Sequence, residues 1–209
     1  MAEIKSGPVI TISRQYGSGG REVGKKLAEA LGLTYYDKEI IAQAAEQIGL
    51  DEDSIEKASE QSASPFSYLF SYATGGSAVS EDTLPLSDRV FIAQSRIIKK
   101  AASEGGCVII GRCSDYVLEG EVDAVNILVR ADWEARVVRV MERNNIDRDA
   151  AIDRIKRIDK RRAAYYQHYT GRKWSDSEHS ELTLSTTPIG IDGAVELISH
   201  YLKLAGKIS

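Results

Sequence analysis

Val9-Ile10-Thr11-Ile12-Ser13-Arg14-Gln15-Tyr16-Gly17-Ser18-Gly19-Gly20-Arg21-Glu22 is the stretch whose reading decides the fold. A β-branched apolar run stops, small residues follow, and Val23, Leu27, Ala30 and Leu31 then recur at helical spacing until Gly32. That order predicts a buried strand over 9–13, a glycine-rich turn, and a helix over about 20–31. Such a turn suits a phosphate. Glycines let main-chain N–H groups face inward, and the helix dipole favours an anion at its N-terminus.

Two registers of a phosphate loop compete in this stretch. The Walker pattern reads G-x-x-x-x-G-K-[ST]. One register takes Gly24-Lys25 as its G-K, but Lys26 follows where Ser or Thr belongs, and the helix would start ten residues past the strand. The other places the loop at Arg14 to Gly20, directly after the strand. Gly20 then stands where the lysine belongs and Arg21 where the magnesium-binding hydroxyl belongs. The amides from Gly17 to Arg21 can still cradle a phosphate, with positive charge supplied by Arg14, Arg21 or Lys25. A plain glycine turn is the bland alternative. A dinucleotide site is the rival: Gly17-Ser18-Gly19 precedes Asp37 by about twenty positions, although Glu22 occupies the third glycine position.

Outward from the loop, strands and helices alternate. Thr34-Tyr35-Tyr36 predicts a short strand ending at Asp37. Ile40, Ile41, Ala44, Ala45 and Ile48 mark a helix stopped by Gly49, and 51–61 a short one. A serine-rich segment, 62–82, carries Phe66, Tyr68, Phe70 and Tyr72 and predicts a mobile loop or excursion, of the kind that is either functional or disordered. A helix over 86–104 follows. Cys107 to Ile110 and Ala124 to Val129 are continuous apolar runs, as expected of strands covered on both faces. Helices over 132–144 and 147–170, a strand over 182–185 and a helix over 190–204 complete the chain. This is an α/β pattern with a parallel sheet between two helical layers, and ligands belong at the carboxyl ends of the strands.

With 209 residues, a net charge of −4 and a pI near 5.5, the chain is expected to bind neither nucleic acid nor membrane over its general surface. The N-terminus has no signal-peptide pattern, and Cys107 and Cys113 form no C-x-x-C pair, so a cytoplasmic setting is expected. His168, His179 and His200 show no metal-ligand spacing. Tyr165, Tyr166 and Tyr169 predict packing. Against the acidic total, ten arginines crowd the stretch from Arg130 to Arg172. A solvated face paired with Asp153 and Asp159 is one reading. A lid that brings guanidinium groups to a transferring phosphoryl group is the other.

Together, Ile10 to Glu22, Tyr35-Tyr36-Asp37-Lys38-Glu39, Val108-Ile109-Ile110-Gly111-Arg112-Cys113, Asp159-Lys160-Arg161-Arg162-Ala163-Ala164-Tyr165-Tyr166 and Gly190 to Ile198 resemble the cytidylate kinase-like family. The resemblance spans nearly the whole chain in order. It implies a three-layer, five-stranded parallel P-loop fold of the nucleoside monophosphate kinase type. It further implies a single domain over 1–209, with an acceptor excursion at about 50–85 and a basic helical lid at about 147–175.

The resemblance also implies roles. Arg14, Gly17, Ser18, Gly19, Gly20, Arg21 and Glu22 would hold the nucleotide phosphates. Asp37 and Arg112 would meet the acceptor, although Asp37 can equally cap the next helix and Arg112 can equally form a strand-end ion pair. Arg157, Arg161 and Arg162 would be the catalytic lid arginines. ATP with Mg2+ would donate a phosphoryl group to a small nucleotide such as CMP; the metal ligands and oligomeric state are not specified. Three departures from the family pattern stand out: Gly20 for lysine, Cys113 for the carboxylate after Arg112, and Ala42-Gln43 for a tyrosine-arginine pair. They keep open a nucleotide-binding protein without kinase activity, and a nicotinamide-dependent oxidoreductase is the more distant alternative.

Overall fold

A strand in the middle of a parallel sheet needs apolar side chains on both faces, and Cys107-Val108-Ile109-Ile110 meets that need. The computed structural model describes residues 7–58, 84–174 and 177–209. The strands are β1 (Val9–Arg14), β2 (Thr34–Tyr36), β3 (Cys107–Ile110), β4 (Ala124–Arg130) and β5 (Leu182–Ser185). All pairings are parallel, in the order β2-β3-β1-β4-β5. Insertion of β3 between β1 and β2 separates this sheet from the dinucleotide-binding order, in which the first two strands are neighbours. The oxidoreductase alternative therefore loses its fold.

The helices are α1 (Gly20–Leu31), α2 (Lys38–Ile48), α3 (Glu52–Ala58), α4 (Leu86–Ser103), α5 (Ser114–Val117), α6 (Trp133–Asn144), α7 (Arg148–Thr170) and α8 (Gly190–Leu204). Side chains of β3 alternate between two cores. Val108 and Ile110 join Ile10, Ile12, Val23, Leu27 and Ile198 beneath α1 and α8. Cys107 and Ile109 join Ile40, Ile41, Ile55, Val90 and Ile98 beneath α2, α3 and α4. The sheet is thus the middle of three layers. The four-residue α5 has no counterpart in the sequence pattern, because its buried residues are too few to set up a periodicity. The serine-rich segment 62–82 lies outside the described residues, as does the end of the helix expected over 51–61. Among the described residues, no helix is long and apolar enough to cross a membrane.

Helices α6 and α7 pack as a pair over the carboxyl end of β1. Val137, Val140, Ala151 and Ile155 come together there, with Tyr16 of the glycine loop against them. Further along α7, Tyr165, Tyr166 and Tyr169 pack on Phe91 of α4 and on Cys113, and the Tyr169 ring stacks on Phe91 with centroids 4.0 Å apart. The expected packing role of these tyrosines holds. The Asp147 carboxylate caps α7 by accepting the Ala150 amide at 2.8 Å. Asp147→Ala should lower stability by about 1 kcal/mol, read as a reduced urea midpoint with an unchanged slope.

Candidate active site

β1 ends at Arg14 and α1 begins at Gly20, which fixes the loop register. The rival Gly24-Lys25 register fails: Gly24 is buried inside α1, and Lys25 is exposed and 3.9 Å from Glu29. Gly17 and Gly19 take φ of 81° and 84°, the left-handed region that glycine enters without steric cost. Loop carbonyls are already engaged. Gln15 O accepts both the Ser18 amide (3.2 Å) and the Ser18 hydroxyl (2.9 Å). Thr186 Oγ1 donates to Ser18 O at 2.7 Å, and Arg139 Nη1 donates to Gly17 O at 2.7 Å.

The amides divide differently. Those of Ser18 and Gly20 are used inside the loop, the latter reaching Ser18 Oγ at 3.4 Å. The first bond of α1 runs from Val23 N to Gly19 O. Amides of Gly17, Gly19, Arg21 and Glu22 have no intrachain partner among the described residues. They are the orphan donors of a turn and a helix start, where an anion binds. The Glu22 side chain is exposed, and its amide is one of these orphan donors.

Arginine side chains converge on this turn from four segments. Arg14 comes from the end of β1, Arg21 from α1, Arg112 from the end of β3 and Arg162 from α7. Burial and then the neighbouring Arg162 hold Arg14 well below the usual guanidinium range; Asp37 opposes them, and Arg112 and Arg21 add to the lowering. Arg162 is pushed down to about 10 by burial and by Arg21 and Arg112, against the pull of Asp159. Their depression reports burial first and crowding of like charge second, and a bound anion relieves the crowding.

Asp37, only 5 % exposed, is engaged by Arg21 through Nε (2.6 Å) and Nη2 (3.2 Å). It stands at the N-cap of α2 without a capping bond, so the capping alternative does not hold. Its carboxylate instead fixes the direction of Arg21.

Arg112 sits in an unusual backbone. Gly111, Arg112 and Cys113 have φ of 66°, 60° and 55°, three successive left-handed residues. For the two non-glycine residues this costs about 1–2 kcal/mol each. Strain of this kind collects at functional sites. The turn is held by Gly111 N to Ile12 O (3.1 Å) and by Ser114 N to Gly111 O (3.0 Å), while Cys113 is buried against the α7 tyrosines.

Helix α7 is tied to the loop through main-chain atoms. Asp159 accepts the Tyr16 amide at 2.9 Å and is ion-paired with Arg136, whose Nε donates to Tyr16 O at 2.7 Å. Arg162 Nη1 donates to Arg14 O at 3.1 Å, and its guanidinium lies 5.6 Å from the Tyr16 ring centroid.

Of the residues expected from sequence, the loop, Arg14, Arg21, Asp37, Arg112 and Arg162 come together. Arg157 and Arg161 do not join them; both lie on the exposed side of α7. Sequence reasoning missed Arg136, Arg139, Asp159 and Thr186 as the residues that hold the loop. It offered Asp159 as a partner on a solvated face in one of two readings and gave it no contact with the loop; its spacing of three from Arg162 is the local hint of that contact.

No group of three His, Cys, Asp or Glu residues among the described residues could hold a metal. With Arg21 in place of the Walker hydroxyl, the loop does not fit the usual protein contact to magnesium. A cleft of about 450 Å3 lies elsewhere, between Asp115, Glu119, Arg172 and Glu181 near the amino ends of β4 and β5, and has none of these features.

Five parallel strands with a glycine loop after the first, and arginines gathered over it, define an α/β protein of the nucleoside monophosphate kinase-like class. Comparison with known proteins makes this specific: the model of the cytidylate kinase-like family matches residues 9–188, and the chain belongs to that family. It is 28% identical to a cytidylate kinase of Methanopyrus kandleri over 188 residues, 86% of this chain and 84% of that one. The crystal structure of an uncharacterized protein from Eubacterium ventriosum superposes with a TM-score of 0.70 at 26% identity, covering 94% of this chain and 98% of the other. A shikimate kinase from Bacteroides thetaiotaomicron has a TM-score of 0.52 at 11% identity, covering 94% and 98%, and shares the fold.

Arg136 is 5 % exposed and relies on Asp159. Asp159→Ala should therefore cost about 3–5 kcal/mol by stranding a buried charge. An unchanged denaturation midpoint would show that the pair does not anchor α7.

Proposed function

We propose that this protein transfers the terminal phosphoryl group of ATP to a pyrimidine nucleoside monophosphate such as CMP. The observation that carries this reading is the convergence of Arg14, Arg21, Arg112 and Arg162 on a turn with free amides. The bond between the γ-phosphorus and the β,γ-bridging oxygen breaks, a phosphate oxygen of the acceptor bonds to that phosphorus, and ADP leaves. Amides of Gly17, Gly19, Arg21 and Glu22 hold the donor phosphates. Arg112 holds the acceptor phosphate, and Arg21, aimed by Asp37, faces the same side. Arg162 neutralises charge as it spreads over the transferring group. Such chemistry needs placement and fixed positive charge more than a strong base.

Magnesium accompanies ATP and binds chiefly through phosphate oxygens and water; no step here depends on a protein ligand to it. Arg157 and Arg161, on the outer side of α7, would act only after a rotation or bend of that helix. The setting we infer is cytoplasmic, and two buried, unpaired cysteines support it.

The absence of the Walker lysine favours a second reading, nucleotide binding without transfer. ATP consumption measured against a panel of nucleoside monophosphates separates the two. Turnover with one or more pyrimidine acceptors is expected; binding without turnover on every acceptor supports the second reading. Arg112→Ala and Arg162→Ala should each lower kcat about a thousandfold while leaving circular dichroism unchanged. Wild-type turnover in both would remove the proposed roles.

A further inference from the structure

The Walker pattern carries glycine at its first position and lysine at its seventh. In the register that β1 and α1 fix, the first position is Arg14, the sixth is Gly19 and the seventh is Gly20. The basic residue and the small residue have traded places.

Packing gives a physical reason for the two changes to occur together. A β-carbon added to Gly20 would lie 2.6 Å from Arg14 Cβ, 3.2 Å from Arg14 Cγ and 3.1 Å from Val129 Cβ. These atoms sit next to the backbone and have little freedom to yield. The space in which a seventh-position side chain would begin is already filled by the stem of Arg14. At the far end of the same side chain, Nη1 lies 2.0 Å from where a β-carbon on Gly111 would be. Arg14 therefore runs from the glycine loop to the turn that presents Arg112; a side chain at Gly20 would have to displace its stem, whereas one at Gly111 would meet only its flexible end.

We propose that Arg14 replaces the Walker lysine, with its guanidinium on the phosphoryl group in transit between donor and acceptor. The inference rests on the phosphoryl-transfer reading above and deepens it. Three features support it. Arg14 lies among Arg162, Arg112 and Arg21, and the carboxylate that faces it, Asp37, is already engaged by Arg21. A cation so placed lacks a counter-charge that a phosphate would provide. The residue as a whole is half-buried rather than enclosed, although its guanidinium is desolvated. A guanidinium also offers paired donors in one plane, which lets a single group contact two phosphate oxygens, as a lysine ammonium cannot do with the same geometry.

The test is a swap. ATP is titrated calorimetrically into the wild-type protein, R14G, G20K and the double variant R14G/G20K, and the melting temperature of each is recorded without ligand. R14G should weaken ATP binding at least about tenfold, the scale of one charge-assisted contact, without a large fall in melting temperature. G20K should melt lower, because its side chain meets the Arg14 stem. R14G/G20K should recover both losses, binding ATP more tightly than R14G. The decisive comparison, R14G against R14G/G20K, does not require G20K to fold. ATP binding by R14G within about twofold of wild type, or a double variant no tighter than R14G, overturns the inference and leaves the phosphoryl-transfer reading standing. Wild-type protein that binds no ATP overturns both.

Discussion

Like charge held together without its counter-charge is the constraint around which this molecule is arranged. Arg14, Arg21, Arg112 and Arg162 meet at the carboxyl ends of β1 and β3, and their mutual repulsion is relieved only in part, by Asp37 beside Arg14 and Asp159 beside Arg162. Side chains left to themselves would turn outward into water. Three of these are prevented from doing so by different devices. The Arg14 stem is packed against Val129 and the start of α1. Arg21 is gripped by a buried carboxylate. Arg162 is carried in on a helix and bonded to a carbonyl. Folding free energy from two well-packed apolar cores is thus set against a local electrostatic penalty.

The most strained segment serves the same end. A left-handed turn at Gly111-Arg112-Cys113 puts a non-glycine residue where the chain would not choose to have one. The turn lets Arg112 rise from the end of β3 while Cys113 drops among the tyrosines of α7. A small thiol suits the buried position, since it packs as an apolar group beneath the rings. Burial together with nearby Asp115 pushes its pKa up. The carboxylate that the family pattern has after this arginine would there face the same burial without an evident partner.

Much of this architecture was legible in the chain. Continuous β-branched runs marked the central strands, and an apolar stripe from Val23 to Leu31 placed α1 so firmly that the loop register followed. The supporting contacts were harder to see. Arg136 meets Asp159 across 23 positions, and Thr186 meets Ser18 across 168; no local pattern encodes such pairs. Helix α7 misled for a different reason. Its surface is so polar that an apolar stripe does not reveal which side docks. The docked side is Ile155, Asp159, Arg162, Tyr166 and Tyr169, spaced by fours and threes, with charged residues in the stripe where apolar ones are expected. Arg157 and Arg161 fall off that stripe, which is why identical residue types one position apart have different surroundings.

The ties between α7 and the glycine loop run through backbone atoms, the amide of Tyr16 and the carbonyl of Arg14, while Arg136 of α6 holds the carbonyl of Tyr16. Side-chain variation in the loop leaves such stitches intact, whereas detaching the helix breaks them at once. Helix docking and loop order accordingly form one cooperative opening unit, in the sense that amide hydrogen exchange defines such units. The Tyr16 amide proton, shielded by a carboxylate from 143 residues away, is expected to exchange only when the helix lets go, which would make it a reporter inside the loop for the docking of the helix above it.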